Sequence, residues 1–339
     1  MKAVLRKDEV GKEIVLETIP IPTPQKGQVL VKVMATPCNP SDFHFAMGGY
    51  GLPGKKPKPP VVPGLEGSGI VEAVGEGVSK DLIGKKVGVF CETYNFDTYH
   101  GNWAQYTIKR LQDIYVLKNQ SMSFEDSCYL FVNPMSVMLM WHIIEQDKHT
   151  GIIHTAASSS LARSLFRLCK RHGMPIINIV RRDEHVKEYE KMGAVYTLNQ
   201  TDPDFDAKLK SAIEKVKPSV CFDAVVGDLG SKIIKALPPY AHYYAYGGLS
   251  GKPLSEIEVG DLLFSKKQIC GFWLSETFPK LSQERINEDL DYICEDLGKA
   301  DSCFKQNIVG VHKLEEFEKV MKEYAGVAAN GKLIMKPNN

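Results

Sequence analysis

Three consecutive serines, Ser158, Ser159 and Ser160, sit where an apolar run passes into an amphipathic one in GIIHTAASSSLARSLFRLCKRHG, residues 151–173. Small hydroxyls and the unpaired amides of a helix start can hold phosphate oxygens, and the positive end of the helix dipole adds to the attraction. A strand, turn and helix that hold a dinucleotide need three small residues. One allows the tight turn, one lets backbone approach the pyrophosphate, and one packs helix on strand. Here these positions are Ala156, Ser159 and Ala162, with no glycine between Gly151 and Gly173. Ala157, Ser158, Ser159, Ser160 and Leu161 are the candidate phosphate contacts, and Arg163 is a candidate cation in the first helical turn. A side chain at 159 leaves room for phosphate only if φ is negative and the hydroxyl turns aside. The next apolar run ends in NIVRRDE. An NAD site places an acid there for the ribose 2′-hydroxyl. Arg181 and Arg182 stand in its place, with Asp183 beyond, and guanidinium groups fit a 2′-phosphate. These residues favour NADP(H) as cofactor.

The elements that must position them follow from periodicity. From residue 151, short apolar runs alternate with helical patterns: PIINIV, HVKEYEKMG, AVYTLN, FDAKLKSAIEKV, SVCFDAVV, LGSKIIKAL, AHYYAYGG and KQICGFWLS. Leu161, Leu165, Leu168 and Cys169 share one face of the first helix, which Gly173 terminates. This alternation predicts a doubly wound parallel sheet, which binds ligands beyond the carboxyl ends of its strands. Residues 1–122 instead show short β signals separated by Gly and Pro, and predict a β-rich domain. Residues 123–279 are expected to form the nucleotide domain, and 280–339 to return to the first, with GKLIMK as a strand. Ser123 is expected to cap a helix, and Asn133-Pro134 to restart it as N-cap and first helical residue. GLPGKKPKPPVVPG, residues 51–64, cannot be a helix interior. Its Lys55, Lys56 and Lys58 form a solvated loop or meet a ligand phosphate.

A chain of 339 residues is long enough for two domains. A net charge of +1 gives no overall field toward nucleic acid or an anionic membrane. A local basic cluster, Arg163, Arg167, Lys170, Arg171, His172, Arg181 and Arg182, is the sole argument for nucleic acid, and no binding module supports it. No apolar run is expected to reach bilayer length. The N-terminal MKAVLRKDEV lacks an apolar signal core, so a cytoplasmic location is expected, with a mitochondrial one also open. Eight scattered cysteines, none spaced CxxC, read as reduced thiols.

Several blocks carry a wider resemblance. PGLEGSGIVEAVG (63–75), GNWAQY, FVNPMSVMLM, FDAVVGD and YGGLSG resemble segments of the medium-chain dehydrogenase/reductase superfamily. That resemblance implies an α/β protein with a β-rich GroES-like domain and a Rossmann nucleotide domain. Zinc members carry a cysteine and a histidine where this chain has Asn39 and Leu65, and the four-cysteine lobe is missing, so no metal is expected at either place. NPSDFHFAMGGYG (39–51) and ICGFWLSETF (269–278) are similar to the zinc-free branch, in particular its mitochondrial-type 2-enoyl thioester reductases, with quinone oxidoreductases beside them.

The resemblance implies Tyr50 as proton donor or orienter and Asn39 as a group steadying substrate or nicotinamide. It implies Trp273 and Phe272 at the substrate pocket. Ser136 would offer a hydroxyl near the nicotinamide, and Gly247 and Gly248 would let the fifth strand pass close to the cofactor. It also implies a small-molecule substrate and a homodimer paired through the nucleotide-domain sheet. Two functional readings stand at this point: an NADPH-dependent reductase of an activated double bond or quinone, and a catalytically silent relative serving as a binding or structural subunit.

Overall fold

The computed structural model describes residues 1–51, 57–91, 100–327 and 329–338. It divides into one unit of Met1–Ser136 with Leu274–Asn339, and a second of Val137–Trp273. Lys55 and Lys56 lie outside the described residues, and Lys58 is exposed.

The first unit opens with an antiparallel pair, β1 (Lys2–Arg6) and β2 (Ile14–Thr18). It continues through β3 (Gln28–Pro37), α1 (Pro40–Ala46), β4 (Glu66–Val74), β5 (Lys86–Phe90), β6 (Tyr106–Arg110), β7 (Ile114–Val116) and α2 (Phe124–Ser127). The inward residues of β3, β4 and β5 are Val29, Val31, Val71, Val87 and Val89, a β-branched core suited to a pleated surface. The glycine-rich block has a steric reason. A Cβ on Gly69 would lie 2.2 Å from the Lys32 carbonyl oxygen of β3, so only glycine fits.

The second unit begins in α3 (Ser136–Gln146) and then alternates: β8 (Ile152–His154), α4 (Ser160–Arg171), β9 (Ile176–Val180), α5 (Asp183–Lys191), β10 (Tyr196–Asn199), α6 (Phe205–Val216), β11 (Val220–Asp223), α7 (Gly227–Ala236), β12 (His242–Ala245), α8 (Val259–Leu263) and β13 (Gln268–Gly271). All strand pairs are parallel, in the order β10-β9-β8-β11-β12-β13. Strand order reverses between β8 and β11, the switch point where doubly wound sheets bind ligands. Ile153, Ile177, Ile179, Ile213, Ile233 and Tyr243 form its core. On α4, Leu165, Leu168 and Cys169 are buried as the periodicity requires, whereas Leu161 is partly exposed.

The chain then returns to the first unit through α9 (Leu274–Thr277), α10 (Gln283–Leu297), β14 (Ile308–Lys313), α11 (Phe317–Val327) and β15 (Lys332–Lys336). β15 pairs antiparallel with β3 and parallel with β14, giving the sheet order β14-β15-β3-β4-β5-β7, with β6 also on β3.

The stretch around residue 130 departs from expectation in three ways. Ser123 caps α2 through the Asp126 amide, at 3.0 Å, but Asn133 is not an N-cap. Phe131–Met135 forms a wide π turn containing Pro134, and Glu66 of β4 accepts the amides of Phe131 (2.9 Å) and Val132 (2.8 Å). A distant carboxylate caps this turn, so the chain needed no local cap. The same bonds hold residues 123–136 in the first unit, whereas the periodicity suggested the second. Finally, Phe124–Gln146 is long and apolar enough to cross a bilayer by length and composition, yet 83% of its apolar window is buried inside the protein, as in a core helix.

Candidate functional site

In the second unit, β8 leads into Thr155 and then Ala156, whose φ of 46 places it in the left-handed region. This is the first of the three small positions. An alanine there costs on the order of 1 kcal/mol relative to glycine. The turn closes with the Ser159 amide on the Ala156 carbonyl, at 2.9 Å. Ala157 is buried and held from both sides: its amide donates to the Ile179 carbonyl (3.0 Å), and its own carbonyl accepts the Tyr189 hydroxyl (2.6 Å). Ser159 adopts φ −72, the negative value the reading required, and its hydroxyl accepts the Ala162 amide at 3.3 Å, capping α4. Among the described residues, the amides of Ser160 and Leu161 have no acceptor, and Ser158, Ser159 and Ser160 are partly exposed. The turn therefore keeps spare donors at a helix start, the arrangement that binds phosphate.

Arg163 does not project freely into this region. Its Nε donates to the Ser158 carbonyl (3.1 Å) and its guanidinium pairs with Glu188 of α5 (Nη2–Oε2 2.9 Å). The hydrogen bonds from Arg163 hold the Glu188 carboxyl below its ordinary pKa. Arg163 thus ties the turn to α5. At the end of β9, Arg181 and Arg182 are both exposed. Arg182 contacts Glu184 (3.1 Å) and His185 (2.9 Å), while Arg181 has no hydrogen bond or ion pair among the described residues. Asp183 accepts the Asn199 side-chain amide at 2.7 Å, so its carboxylate is engaged on β10. Gly247 and Gly248 are exposed beyond β12. A Cβ on Gly247 would lie 2.9 Å from the Ala224 carbonyl oxygen, whereas Gly248 is open.

Beneath the turn lies a polar floor that sequence reasoning missed. Buried Asp223 accepts the hydroxyls of Thr155 and Tyr243, both at 2.5 Å, and the Val225 amide at 2.7 Å. Thr155 Oγ1 in turn accepts the Ala224 amide at 2.9 Å. β8, β11 and β12 are thus tied to one carboxylate at the end of β11. Beside them, fully buried His154 shares a 2.8 Å hydrogen bond with the Tyr246 hydroxyl. Burial pushes the His154 imidazole down to about 3, so it is neutral near pH 7. FDAVVGD and YGG contain Asp223 and Tyr246, but the link to Thr155 and His154 appears only when the strands are paired.

In the first unit, Asn39 lies at a buried polar corner. Its Nδ2 donates to Glu66 at 2.9 Å, and its Oδ1 accepts from the Lys332 ammonium of β15. The Asn39 amide nitrogen donates to Asp42 (2.7 Å), whose other carboxylate oxygen accepts the Leu65 amide (2.7 Å). Asn39, Asp42, Glu66 and Lys332 are each no more than 3% exposed. Burial raises the Asp42 carboxyl to about 7, against two backbone hydrogen bonds that favour its charge. Burial likewise raises Glu66 and lowers Lys332, and their mutual attraction opposes both shifts. Asn39 therefore spends both ends of its side chain inside the protein. At the histidine position of zinc relatives, Leu65 packs with Phe45, Val61 and Cys91, and Tyr50 lies half-buried against this apolar cluster. The Tyr50 ring meets His44 edge-on at 6.3 Å between centroids. Sequence reasoning had Asn39 and Leu65 but missed Lys332 and the capping role of Glu66.

The remaining expected residues sit as follows. Ser136 is buried and its hydroxyl donates to the Val132 carbonyl at 2.5 Å, an internal helix bond. Phe272 is a core residue packed against Phe222, with ring centroids 6.5 Å apart, while Trp273 is half-buried.

Residues 25–118 match the family of alcohol dehydrogenase GroES-like domains, and residues 164–322 match the family described as zinc-binding dehydrogenase. Among curated proteins, a mitochondrial enoyl-[acyl-carrier-protein] reductase of Caenorhabditis elegans is 28% identical over 320 residues, covering 91% of this chain and 86% of that protein. The Rattus norvegicus enzyme of the same description is 26% identical over 289 residues, covering 84% and 74%. Among solved structures, a Mesorhizobium loti protein described as an NADPH:quinone reductase is 31% identical, with a TM-score of 0.87 over 99% of this chain and 98% of that one. The structure of an Etr1p/NADP/crotonyl-CoA complex shares the fold, with a TM-score of 0.79 at 20% identity over 99% of both chains.

Proposed function

The chain belongs to the medium-chain dehydrogenase/reductase superfamily and is an oxidoreductase, and we propose that it is an NADPH-dependent, zinc-independent reductase of an activated carbon–carbon double bond. The observation that carries the cofactor choice is the end of β9. There two exposed arginines replace the acid of an NAD site, and the nearby Asp183 is engaged by Asn199. The residues present fit a dinucleotide phosphate: the Ser160 and Leu161 amides would hold the pyrophosphate, Arg181 and Arg182 the 2′-phosphate, and Gly247 and Gly248 would allow close approach.

Bound there, NADPH would supply a hydride to the β-carbon of an enoyl thioester or enone. The protein's own task is the proton. Addition at the β-carbon leaves charge on the carbonyl oxygen and a basic α-carbon, and the Tyr50 hydroxyl, directly or through water, donates to that carbon. Asn39 acts as a positioning residue, fixing the start of α1. Zinc independence is supported by the residues at the place of the metal: an amide bonded at both ends and a leucine in an apolar cluster offer no ligand set. The enoyl-reductase relatives and the ICGFWLSETF block favour the double-bond substrate, and the quinone-reductase relative at 31% identity keeps quinone as a second reading. A homodimer through β13 is the proposed assembly. That edge strand is half-exposed, and the segment leading into it exposes Val259 (73%) and Phe264 (81%).

Nicotinamide fluorescence tests the reading. Micromolar NADPH binding is expected, weakened about 10- to 100-fold in Arg181→Ala/Arg182→Ala, with NADH affinity unchanged. Binding of neither nucleotide would restore the silent-subunit reading. Oxidation of NADPH by crotonyl-CoA should fall about 100-fold or more in Tyr50→Phe, with nucleotide affinity intact. Turnover with quinones but not with enoyl-CoA would decide for the second reading.

A further inference from the structure

We propose that Asp147, His149 and His242 form a zinc site at the amino-terminal edge of the parallel sheet, away from the nucleotide turn. Asp147 and His149 lie in the turn between α3 and β8, and His242 is the first residue of β12. Lys148 between them adopts φ 54, while the amides of Asp147 and His149 donate to Ile143 and Ile144 at the end of α3. The left-handed residue turns the chain so that 147 and 149 face the start of β12.

The spacing suits a shared ion. Asp147 Oδ2 is 3.7 Å from His149 Nε2 and 3.6 Å from His242 Nδ1, and all three ligand atoms lie within 4.8 Å of one another. Both contacts are too long for hydrogen bonds. Two metal bonds of about 2.1 Å whose outer atoms are so spaced would meet at roughly 120°, close to tetrahedral geometry. The two nitrogens are also otherwise unexplained. His149 Nε2 and His242 Nδ1 are buried and have no hydrogen-bond partner, and His149 as a whole is only 7% exposed. Leaving such groups unpaired is costly.

A supporting shell is present. His149 Nδ1 lies 3.0 Å from Ser219 Oγ, which also accepts the Thr150 amide at 3.0 Å. With Ser219 accepting, His149 carries its proton on Nδ1 and points the Nε2 lone pair at the cluster, the usual orientation of a ligating histidine. Two imidazoles and one carboxylate suit zinc, and Asp147 is exposed, so water can reach a fourth position. Neither histidine belongs to the zinc pattern of the superfamily. Most of the second unit separates the two histidines in the chain, so the strand pairing alone brings them together. The ion would clip the end of α3 to β12 and stabilise the second unit.

The test uses the full chain stripped with chelator and dialysed against ZnCl2. One zinc per chain, bound at micromolar concentration or tighter, is expected. Affinity should drop roughly 30-fold or more in His149→Ala and His242→Ala, and about 10-fold in Ser219→Ala. Co2+ should give a visible d–d spectrum in wild type that both histidine variants lose, and Zn2+ should raise the Tm of wild type alone. Asp147→Asn, at an exposed position, guards against loss of fold and should also weaken binding. No zinc bound in the micromolar range, or equal binding by wild type and the folded variants, overturns the site. NADPH binding reports separately on the proposed function.

Discussion

The Asn39 corner of the first unit and the serine turn of the second carry polar groups on opposite terms. At the corner, two carboxylates, an ammonium and an amide are buried and bonded to one another or to backbone. At the turn, the Ser160 and Leu161 amides and the Arg181 guanidinium have no partner among the described residues. A closed network fixes geometry, whereas spare donors at a helix start leave hydrogen-bonding capacity unused. The two floors also differ in charge. The corner pairs an ammonium with two carboxylates, and the floor beneath the turn holds the Asp223 carboxylate beside a histidine kept neutral by burial.

This contrast can be attacked at its strongest point by Lys332→Met. Removing the ammonium leaves Glu66 and Asp42 buried without a counter-charge, so a loss of about 3–5 kcal/mol is expected in urea unfolding. Stability within 1 kcal/mol of wild type, on the order of an ordinary surface change, would mean the corner is not an ionic unit.

A smaller effect separates the two floors by pH. His154 has a folded value of about 3 against an ordinary value near 6.5. Below 6.5 the unfolded chain binds a proton that the folded one refuses, so stability falls as pH drops toward 3. Its slope approaches about 1.4 kcal/mol per pH unit. The stability difference between wild type and His154→Phe should shift by that slope over this window and stay flat above pH 7. A pH-independent difference would place the imidazole in a solvated setting.

The smallest change is Ser159→Ala. Losing the cap on Ala162 should cost about 1 kcal/mol of thermal stability. NADPH affinity should change less than about threefold, because the hydroxyl serves the helix. A large loss of affinity would instead make Ser159 a direct phosphate ligand.

The βα alternation of the second unit was legible because each apolar run is short and each helix amphipathic, and so was the place of Arg181 and Arg182 just beyond β9. Other parts were not, and the reason is chain distance. Lys332 reaches Asn39 across 293 residues, and Glu66 caps the turn at 131 across 65. Asn133-Pro134 had the local look of a helix start, but a carboxylate from β4 had taken that task. Arg163 looked like a phosphate ligand because Glu188, its partner on the next helix, is invisible to a helical pattern. Residue types gave the chemistry, and tertiary pairing decided which groups were left to use it.

The pairing of β15 with β3 also bears on synthesis. Residues 137–273 form a continuous unit that can assemble on the ribosome as soon as they emerge, while Asp42 and Glu66 must wait for Lys332 before their enclosure is neutralised. The amino-terminal part of the first unit, Met1–Ser136, is therefore translated early and completed late.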